Sequence, residues 1–148
     1  MEVQQDYKEL LELLNSHKVE YIIVGAYALA HHGVPRYTGD IDIWVRPTAD
    51  NAARVMVALT EFGVVPNDVD ENVFCIPGKV VQLGFAPVRI DLLTAISGLT
   101  WEEGISGQDQ GEFDGVPVYY IGREQLIKNK RASGRSQDIA DVKAISRT

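Results

Sequence analysis

Hydrophobic residues form short patterns along the chain, and patterns with helical spacing alternate with patterns typical of β-strands. Residues 6–14 have helical spacing, which predicts an amphipathic helix. Its apolar positions are Tyr7, Leu10, Leu11, Leu13 and Leu14. Residues 21–24 are apolar and largely β-branched, which predicts a buried strand. Gly25 follows directly, and we expect a helix over residues 26–32 that ends at Gly33.

The rest of the chain continues the alternation of helices and strands. Residues 40–45 alternate polar and apolar side chains, which predicts a strand. Residues 64–78 show no clear pattern, and residues 97–115 predict an irregular connection with room for one short helix. We expect a tight turn at Ala86 and Pro87. The other predicted elements are a helix at 47–62, strands at 80–85, 88–92 and 116–121, and helices at 123–132 and 136–146.

This order of elements predicts an α/β (α+β) fold, in which a small mixed β-sheet is flanked by helices. The length of 148 residues suits a single domain over 1–148. We expect its core at about 19–120 and a C-terminal helical segment at about 121–148.

Charge is distributed unevenly along the chain. The sequence has 14 basic and 21 acidic residues and a net charge of -7, which disfavours a general nucleic-acid coat or a membrane-surface helix. Residues 1–120 hold 7 basic and 18 acidic residues, whereas residues 121–148 hold 7 basic and 3 acidic ones. An acidic body therefore carries a basic C-terminal segment.

The N-terminal residues lack the basic start and apolar run of a signal peptide. The longest uncharged stretch, residues 21–35, is too short to span a bilayer. Cys75 is the only cysteine, so a disulfide within the chain is excluded. We therefore predict a cytoplasmic protein with no membrane partner.

Three aspartates are the main candidates for chemistry. Asp40 and Asp42 are two apart in a predicted strand and share one face. Asp91 lies on the polar face of another strand, and if the two strands pair, three carboxylates converge. Such a group can hold two metal ions that position an attacking oxygen and neutralise a phosphate. The alternatives are a solvated strand face, and an ion pair of Asp91 with Arg89.

Gly25 is a second candidate, because it ends a buried strand and begins a helix. A glycine there lets the backbone approach a ligand closely, and the helix N-terminus offers N–H groups to phosphate. An ordinary strand-to-helix turn would place a glycine at the same position.

These pieces together resemble the signature of the polymerase-β-like nucleotidyltransferase superfamily. The matching residues are Val24-Gly25-Ala26, a spacer of 13 residues, Asp40-Ile41-Asp42-Ile43, and Asp91 on a later strand. The lead-in 36–39 is similar to small bacterial members. The segment Glu124 to Lys128, followed by Arg131, Arg135, Asp138 and Asp141, resembles AbiEii-type toxins of toxin–antitoxin pairs. The resemblance covers residues 19–145.

The resemblance implies a Mg²⁺-dependent nucleotidyltransferase with two metal ions, for which Mn²⁺ could substitute. A nucleoside triphosphate would donate its nucleoside monophosphate to an acceptor hydroxyl, and pyrophosphate would leave. The implied metal-binding and catalytic residues are Asp40, Asp42 and Asp91. The implied nucleotide-binding residues are Gly25, Ala26, Lys128, Arg131 and Arg135.

One position departs from the family pattern, since Ala26 stands where Ser or Gly is usual. The lost hydroxyl would cost about 1.5–3 kcal/mol of hydrogen bonding to phosphate. Activity could be weaker, the nucleotide could bind differently, or the chain could be a non-catalytic module that binds a nucleotide or a protein. The sequence leaves three kinds of acceptor open, which are an RNA 3′ end, a small molecule and a protein. It also leaves open whether the chain forms a homodimer or binds a protein partner.

Several other residues are expected to be structural. His31 and His32 are adjacent on a predicted helix, face different directions and make a poor metal pair. Trp44 shares the face of the aspartates, but core packing is the simpler interpretation. Asp138 and Asp141 could cap the last helix or pair with Arg135 and Lys143, as well as serve catalysis.

Overall fold

The computed structural model of the protein describes residues 2–84 and 88–148, with side chains from residue 5. Its helices are α1 (Glu2–Ser16), α2 (Gly25–His31), α3 (Ala49–Phe62), α4 (Trp101–Ile105), α5 (Arg123–Ser133) and α6 (Ser136–Ile145). Its strands are β1 (Tyr21–Val24), β2 (Asp40–Val45), β3 (Val80–Leu83), β4 (Arg89–Leu93), β5 (Asp109–Phe113) and β6 (Val116–Tyr120).

The six strands form one mixed sheet in the order β3-β4-β2-β1-β6-β5. Strand β2 pairs antiparallel with β1 and parallel with β4, so it lies near the middle of the sheet. Helices flank the sheet, as the periodicity predicted. The predicted α/β fold with a small mixed sheet is therefore confirmed.

The core forms where the central strands meet the apolar faces of the helices. Tyr7, Leu10, Leu11 and Leu14 of α1 are fully buried, in the helical spacing that the sequence shows. Every residue of β1 is buried, as expected for a strand covered on both faces. The burial of these apolar side chains is the main stabilising contribution to the sheet that carries the site.

Helix α3 illustrates how local sequence sets the element boundaries. The Thr48 side chain accepts a hydrogen bond from the Asn51 backbone N–H at the N-terminus. Gly63 ends the helix in the left-handed conformation, with φ of 113°. The helix thus starts at Ala49 rather than at the predicted residue 47.

Two regions differ from the sequence-based prediction. Strand β5 falls within the stretch 97–115 that was expected to be irregular apart from one short helix, which is α4. It is an edge strand of sequence DQGEF, paired antiparallel with β6, in which Phe113 is buried and the polar residues are exposed. An edge strand needs no apolar alternation. Residues 64–78 contain two 3₁₀ helices, Pro66–Asp68 and Glu71–Cys75. The predicted turn at Ala86 and Pro87 lies outside the described residues.

No helix in the described part of the chain is long and apolar enough to cross a membrane.

Candidate active site

Three carboxylates meet on neighbouring central strands. Asp42 of β2 lies directly opposite Asp91 of β4 in the parallel register, and Asp40 lies two residues before Asp42. One oxygen of each of the three side chains lies within 4.8 Å of the others. We call Asp40, Asp42 and Asp91 the carboxylate triad. The strand pairing that the sequence analysis required for their convergence is present.

Arg89 is the positive partner of the triad. Its guanidinium donates hydrogen bonds from Nη2 to Asp40 Oδ2 at 2.5 Å and to Asp91 Oδ2 at 3.0 Å. The ion pair between Arg89 and Asp91, which the sequence left as an alternative, therefore exists alongside the convergence of the three aspartates. One guanidinium offsets one of three closely spaced negative charges.

The electrostatics of the triad fit a hard divalent cation. Burial raises the pKa of Asp42 to about 7, with further contributions from the charges of Asp40 and Asp91. The Oδ1 atom of Asp91 is buried, and no N–H or hydroxyl group in residues 2–84 and 88–148 donates a hydrogen bond to it. Carboxylate oxygens are the ligands that Mg²⁺ prefers, so both the donor set and the uncompensated charge suit such an ion.

Gly25 lies against the triad because of its backbone conformation and its lack of a side chain. Its φ of +70° is in the left-handed region, which glycine adopts without strain. A Cβ atom at this position would stand 2.3 Å from Asp42 Oδ2. The strand-to-helix turn therefore requires a glycine at this position because of its packing against Asp42. This requirement holds with or without a ligand.

A cleft of about 670 Å³ opens beside these residues. Gly25, Ala26, Asp40 and Asp42 line one side of it. Helices α5 and α6 and the turn between them contribute further lining residues. The lining residues from this part are Asn129, Lys130, Ser133, Arg135, Gln137 and Asp138.

Lys130 is the centre of a buried charge network on the helical side. Its ammonium group donates to Asp141 Oδ2 at 2.9 Å and to Asp138 Oδ1 at 3.3 Å, and all three side chains are more than nine-tenths buried. Arg135 donates to Asp138 at 2.8 Å, and Arg36 pairs with Asp141. We call these five residues the basic network, since three cations and two anions leave one positive charge.

The two aspartates of the network are held in their ionised form. Burial alone would raise the pKa of Asp138, but hydrogen bonds from Arg135, Ser133 and Lys130 outweigh it and lower the pKa to about 2. For Asp141, burial is likewise outweighed by hydrogen bonds from Lys130 and Gln137, which lower its pKa. The predicted pairing of Asp138 with Arg135 is confirmed, whereas Asp141 pairs with Lys130 and Arg36 rather than with Lys143.

Of the five nucleotide-binding residues that the resemblance implied, the structure places three at the cleft. Gly25, Ala26 and Arg135 line the cleft. Lys128 and Arg131 are not among the described residues that line it. The Lys128 ammonium group is 2.8 Å from Glu103 Oε2 and is well exposed, and its contact with the triphosphate stays a prediction.

Sequence reasoning missed Lys130, although a signal for it exists. Helix α5 buries Leu126, Ile127 and Lys130, which have the spacing of one helical face. A lysine that continues an apolar stripe needs a buried counter-ion. Asp138 and Asp141 are buried with Ile145 on one face of α6, and they supply this counter-ion.

Trp44 belongs to the core, as expected. Its ring is 2% exposed and packs edge-on against Trp101, with ring centroids 5.1 Å apart. It is therefore not available to stack on a base in the cleft.

Comparison with known proteins agrees with this geometry. Residues 3–148 match the family described as "Nucleotidyl transferase of unknown function (DUF2204)". The match spans almost the whole chain, so the protein belongs to this nucleotidyltransferase family. A sequence comparison with curated proteins gives no match.

Solved structures show the same fold at low sequence identity. A candidate nucleotidyltransferase from Thermotoga maritima is 18% identical, with a TM-score of 0.63 over 95% of this chain and 90% of that one. The antibiotic-resistance factor ANT(2″)-Ia, in complex with adenylyl-2″-tobramycin, is 14% identical, with a TM-score of 0.60 over 99% and 88%. A nucleotidyltransferase-like antigen of Paracoccidioides brasiliensis is 15% identical, with a TM-score of 0.57 over 97% and 74%. These likenesses establish the fold.

Proposed function

We propose that this protein is a divalent-metal-dependent nucleotidyltransferase, which moves a nucleoside monophosphate from a nucleoside triphosphate to an acceptor hydroxyl. One observation carries the proposal. Two members of the carboxylate triad and four members of the basic network line a single cleft, namely Asp40 and Asp42, and Arg36, Lys130, Arg135 and Asp138. A triphosphate with its metal ions needs both kinds of charge at once.

The charges on the two sides are complementary to such a substrate. The triad and Arg89 together carry two negative charges when all three aspartates are ionised. The basic network carries one positive charge, and its Lys130 and Arg135 reach the cleft. A cation is therefore favoured on the sheet side and the phosphate chain on the helical side.

In the reaction we propose, the acceptor oxygen forms a bond to the α-phosphorus, and the bond from that phosphorus to pyrophosphate breaks. Asp40, Asp42 and Asp91 would hold Mg²⁺, which would neutralise the phosphate charge and favour the ionised acceptor. We assign acceptance of the acceptor proton to Asp91, which lies opposite Asp42 on the neighbouring strand. Arg135, whose side chain is 79% exposed, would bind the phosphates that leave, and Lys130 would hold Asp138 and Asp141 in place beside it.

Incubation with an α-³²P-labelled nucleoside triphosphate, Mg²⁺ and cell extract tests the proposal. We expect transfer of label with release of pyrophosphate by the wild type, and neither with Asp42→Ala. Asp114→Asn, at the exposed turn between β5 and β6, is a control that should keep wild-type activity. Equal transfer by wild type and Asp42→Ala would refute the proposal.

A panel of candidate acceptors should identify the acceptor substrate. The structural neighbour ANT(2″)-Ia was solved with an adenylylated aminoglycoside, so tobramycin is one member of the panel. An RNA with a free 3′ end and the protein fraction of the extract complete it. A negative net charge of -7 favours a cationic acceptor over a long nucleic acid.

Ala26 supports a second candidate, a module that binds a nucleotide without turnover. Ala26 lines the cleft beside Gly25 and offers no hydroxyl to a phosphate. A calorimetric titration with ATP and Mg²⁺ separates the two functions, since a pure binder takes up nucleotide and releases no pyrophosphate. Under the catalytic proposal, Ala26→Ser should increase turnover.

The narrower similarity to AbiEii-type toxins is also a proposal. It rests on the segment from Glu124 to Asp141, which forms helices α5 and α6 and supplies the basic network. If the protein acts as a toxin, induced expression of the wild type should arrest growth, and expression of Asp42→Ala should not.

A further inference from the structure

A second cluster of metal-ligating side chains lies at the far end of helix α2. It consists of His31, the last residue of the helix, His32, and Asp109 at the start of edge strand β5. One ligand atom of each lies within 4.8 Å of the other two. His31 Nε2 and Asp109 Oδ2 are 2.9 Å apart. That separation is similar to the distance between neighbouring ligands around one small metal ion.

The two histidines converge because the helix ends between them. His32 has φ of -88° and ψ of 13°, which is outside the helical conformation. The two ring centroids are therefore 5.0 Å apart, although adjacent residues within a helix point in different directions. The sequence-based expectation of a poor metal pair assumed a helix that continued through residue 32.

The orientation of His31 is set by its surroundings. Its ring stacks on Tyr120, with centroids 4.1 Å apart and an angle of 9° between the planes. Gly111 of β5 gives the ring room, since a Cβ there would stand 2.9 Å from His31 Cε1. Little rotamer freedom remains to be lost when the ring binds an ion.

The hydrogen bond of His32 defines its tautomer. Its Nε2 is 2.7 Å from the Ile121 carbonyl oxygen, which only accepts, so Nε2 carries the proton. In the neutral ring, Nδ1 then keeps its lone pair. Histidines that ligate metals usually donate their other ring N–H to a carbonyl or carboxylate in this way.

An ordinary histidine–carboxylate pair elsewhere in the protein provides a contrast. His17 Nε2 lies 3.0 Å from Glu61 Oε1, and that pair is not part of any three-ligand group among the described residues. The cluster at His31 differs in two ways. It has three ligand residues, and the ring of His32 is hydrogen-bonded to the Ile121 carbonyl oxygen. Its Asp109 side chain is 58% exposed, so an ion reaches it from solvent.

We propose that His31, His32 and Asp109 form a binding site for a divalent transition-metal ion, with zinc as the representative ion. Two imidazole nitrogens and one carboxylate oxygen suit zinc, and solvent can supply a fourth ligand. The all-oxygen carboxylate triad prefers Mg²⁺ instead. A bound ion would join the end of α2 to edge strand β5, while the other end of α2 lies at Asp42 in the cleft.

Zinc titration in the presence of excess Mg²⁺ tests this site, because the Mg²⁺ would compete with zinc for the oxygen ligands of the triad. We expect one zinc ion per chain by calorimetry, and one retained after gel filtration by elemental analysis. His31→Ala and Asp109→Asn should each weaken zinc binding about tenfold or more. His17→Ala, the matched control, and Asp42→Asn should bind zinc as the wild type does.

Asp109→Asn guards against a folding artefact, since it is nearly isosteric and lies on an exposed edge strand. Circular dichroism should show that Asp109→Asn folds. With Co²⁺ added in place of zinc, the wild type should show the absorption bands of tetrahedral Co²⁺, and Asp109→Asn should not. Failure of the wild type to bind zinc would overturn the proposal. Zinc binding unaffected by His31→Ala and Asp109→Asn, or abolished by Asp42→Asn, would overturn it equally.

Discussion

Asp42 and Asp91 face each other across the parallel pairing of β2 and β4, on two of the central strands of the sheet. The pairing brings two carboxylates together although 49 residues separate them along the chain. Like charges at this distance are costly unless a cation offsets them. Arg89 offsets part of this charge, and the remaining negative charge favours a cation at this position.

The first prediction concerns this pair directly. Asp42→Asn keeps the shape of the side chain and removes a charge that a metal ion needs. We expect nucleotidyl transfer to fall by about 10²-fold or more. Isothermal titration with Mg²⁺ should show weaker binding, while the far-ultraviolet circular dichroism stays unchanged. Asp114→Asn should change neither quantity, and retention of Mg²⁺ binding by Asp42→Asn would contradict the assignment.

The second prediction concerns Gly25. Gly25→Ala forces a non-glycine residue into the left-handed region, which costs about 1–3 kcal/mol of unfolding free energy. It also brings a Cβ atom against Asp42 Oδ2. We therefore expect both lower stability in urea unfolding and weaker Mg²⁺ binding.

Gly115→Ala is the matched control for Gly25→Ala. Gly115 has φ of +85°, but a Cβ there would meet nothing within 4 Å. This variant should lose stability through backbone strain alone and keep its Mg²⁺ affinity. If both variants bind Mg²⁺ as the wild type does, Gly25 has no influence on Asp42.

Much of the central sheet could be predicted from the sequence because its strands are buried and strongly patterned. The apolar run of β1 and the alternation of β2 lie in the structure where the sequence indicated. Strand β5 could not be predicted, since four of its five residues are polar or glycine and its pairing with β6 is what makes it a strand. A hydrophobic pattern in the sequence arises from buried positions. An edge strand that is mostly exposed has too few buried residues to show such a pattern.

The site was predictable in part for a related reason. The spacing of Asp40 and Asp42, and the polar position of Asp91, are local features of strands. That Lys130 rather than Lys128 lines the cleft depends on how α5 packs against α6, which is a tertiary contact. The convergence of His31 and His32 depends on the residue at which a helix ends, and such boundaries are the least certain part of any sequence-based prediction.

The third prediction compares the two lysines. Lys130→Met leaves Asp138 and Asp141 buried without their shared counter-ion, and removing one partner of a buried ion pair costs about 3–5 kcal/mol. Lys128→Met is the control, because Lys128 pairs with Glu103 at the exposed surface. Urea unfolding should show a large loss for the first variant and little change for the second. Equal losses would show that the network around Lys130 is not a stabilising one.

The same pair of variants tests the assignment of nucleotide contacts. With Mg²⁺ present, and at a temperature where both variants are folded, ATP affinity should fall for Lys130→Met and stay near the wild-type value for Lys128→Met. The reverse result would restore Lys128 as the triphosphate ligand.

The last prediction concerns acid stability. The pKa of Asp138 is about 2 in the folded protein and near 3.8 when unfolded, so the unfolded chain binds a proton more readily. The stability that this carboxylate contributes is therefore complete above about pH 4 and is lost as the pH falls towards 2. Urea unfolding between pH 5 and 2.5 should show the decline. Asp138→Asn should be less stable at neutral pH but decline less steeply, whereas Asp114→Asn should follow the wild type. A slope unchanged in Asp138→Asn would show that Asp138 does not hold its charge in the folded protein.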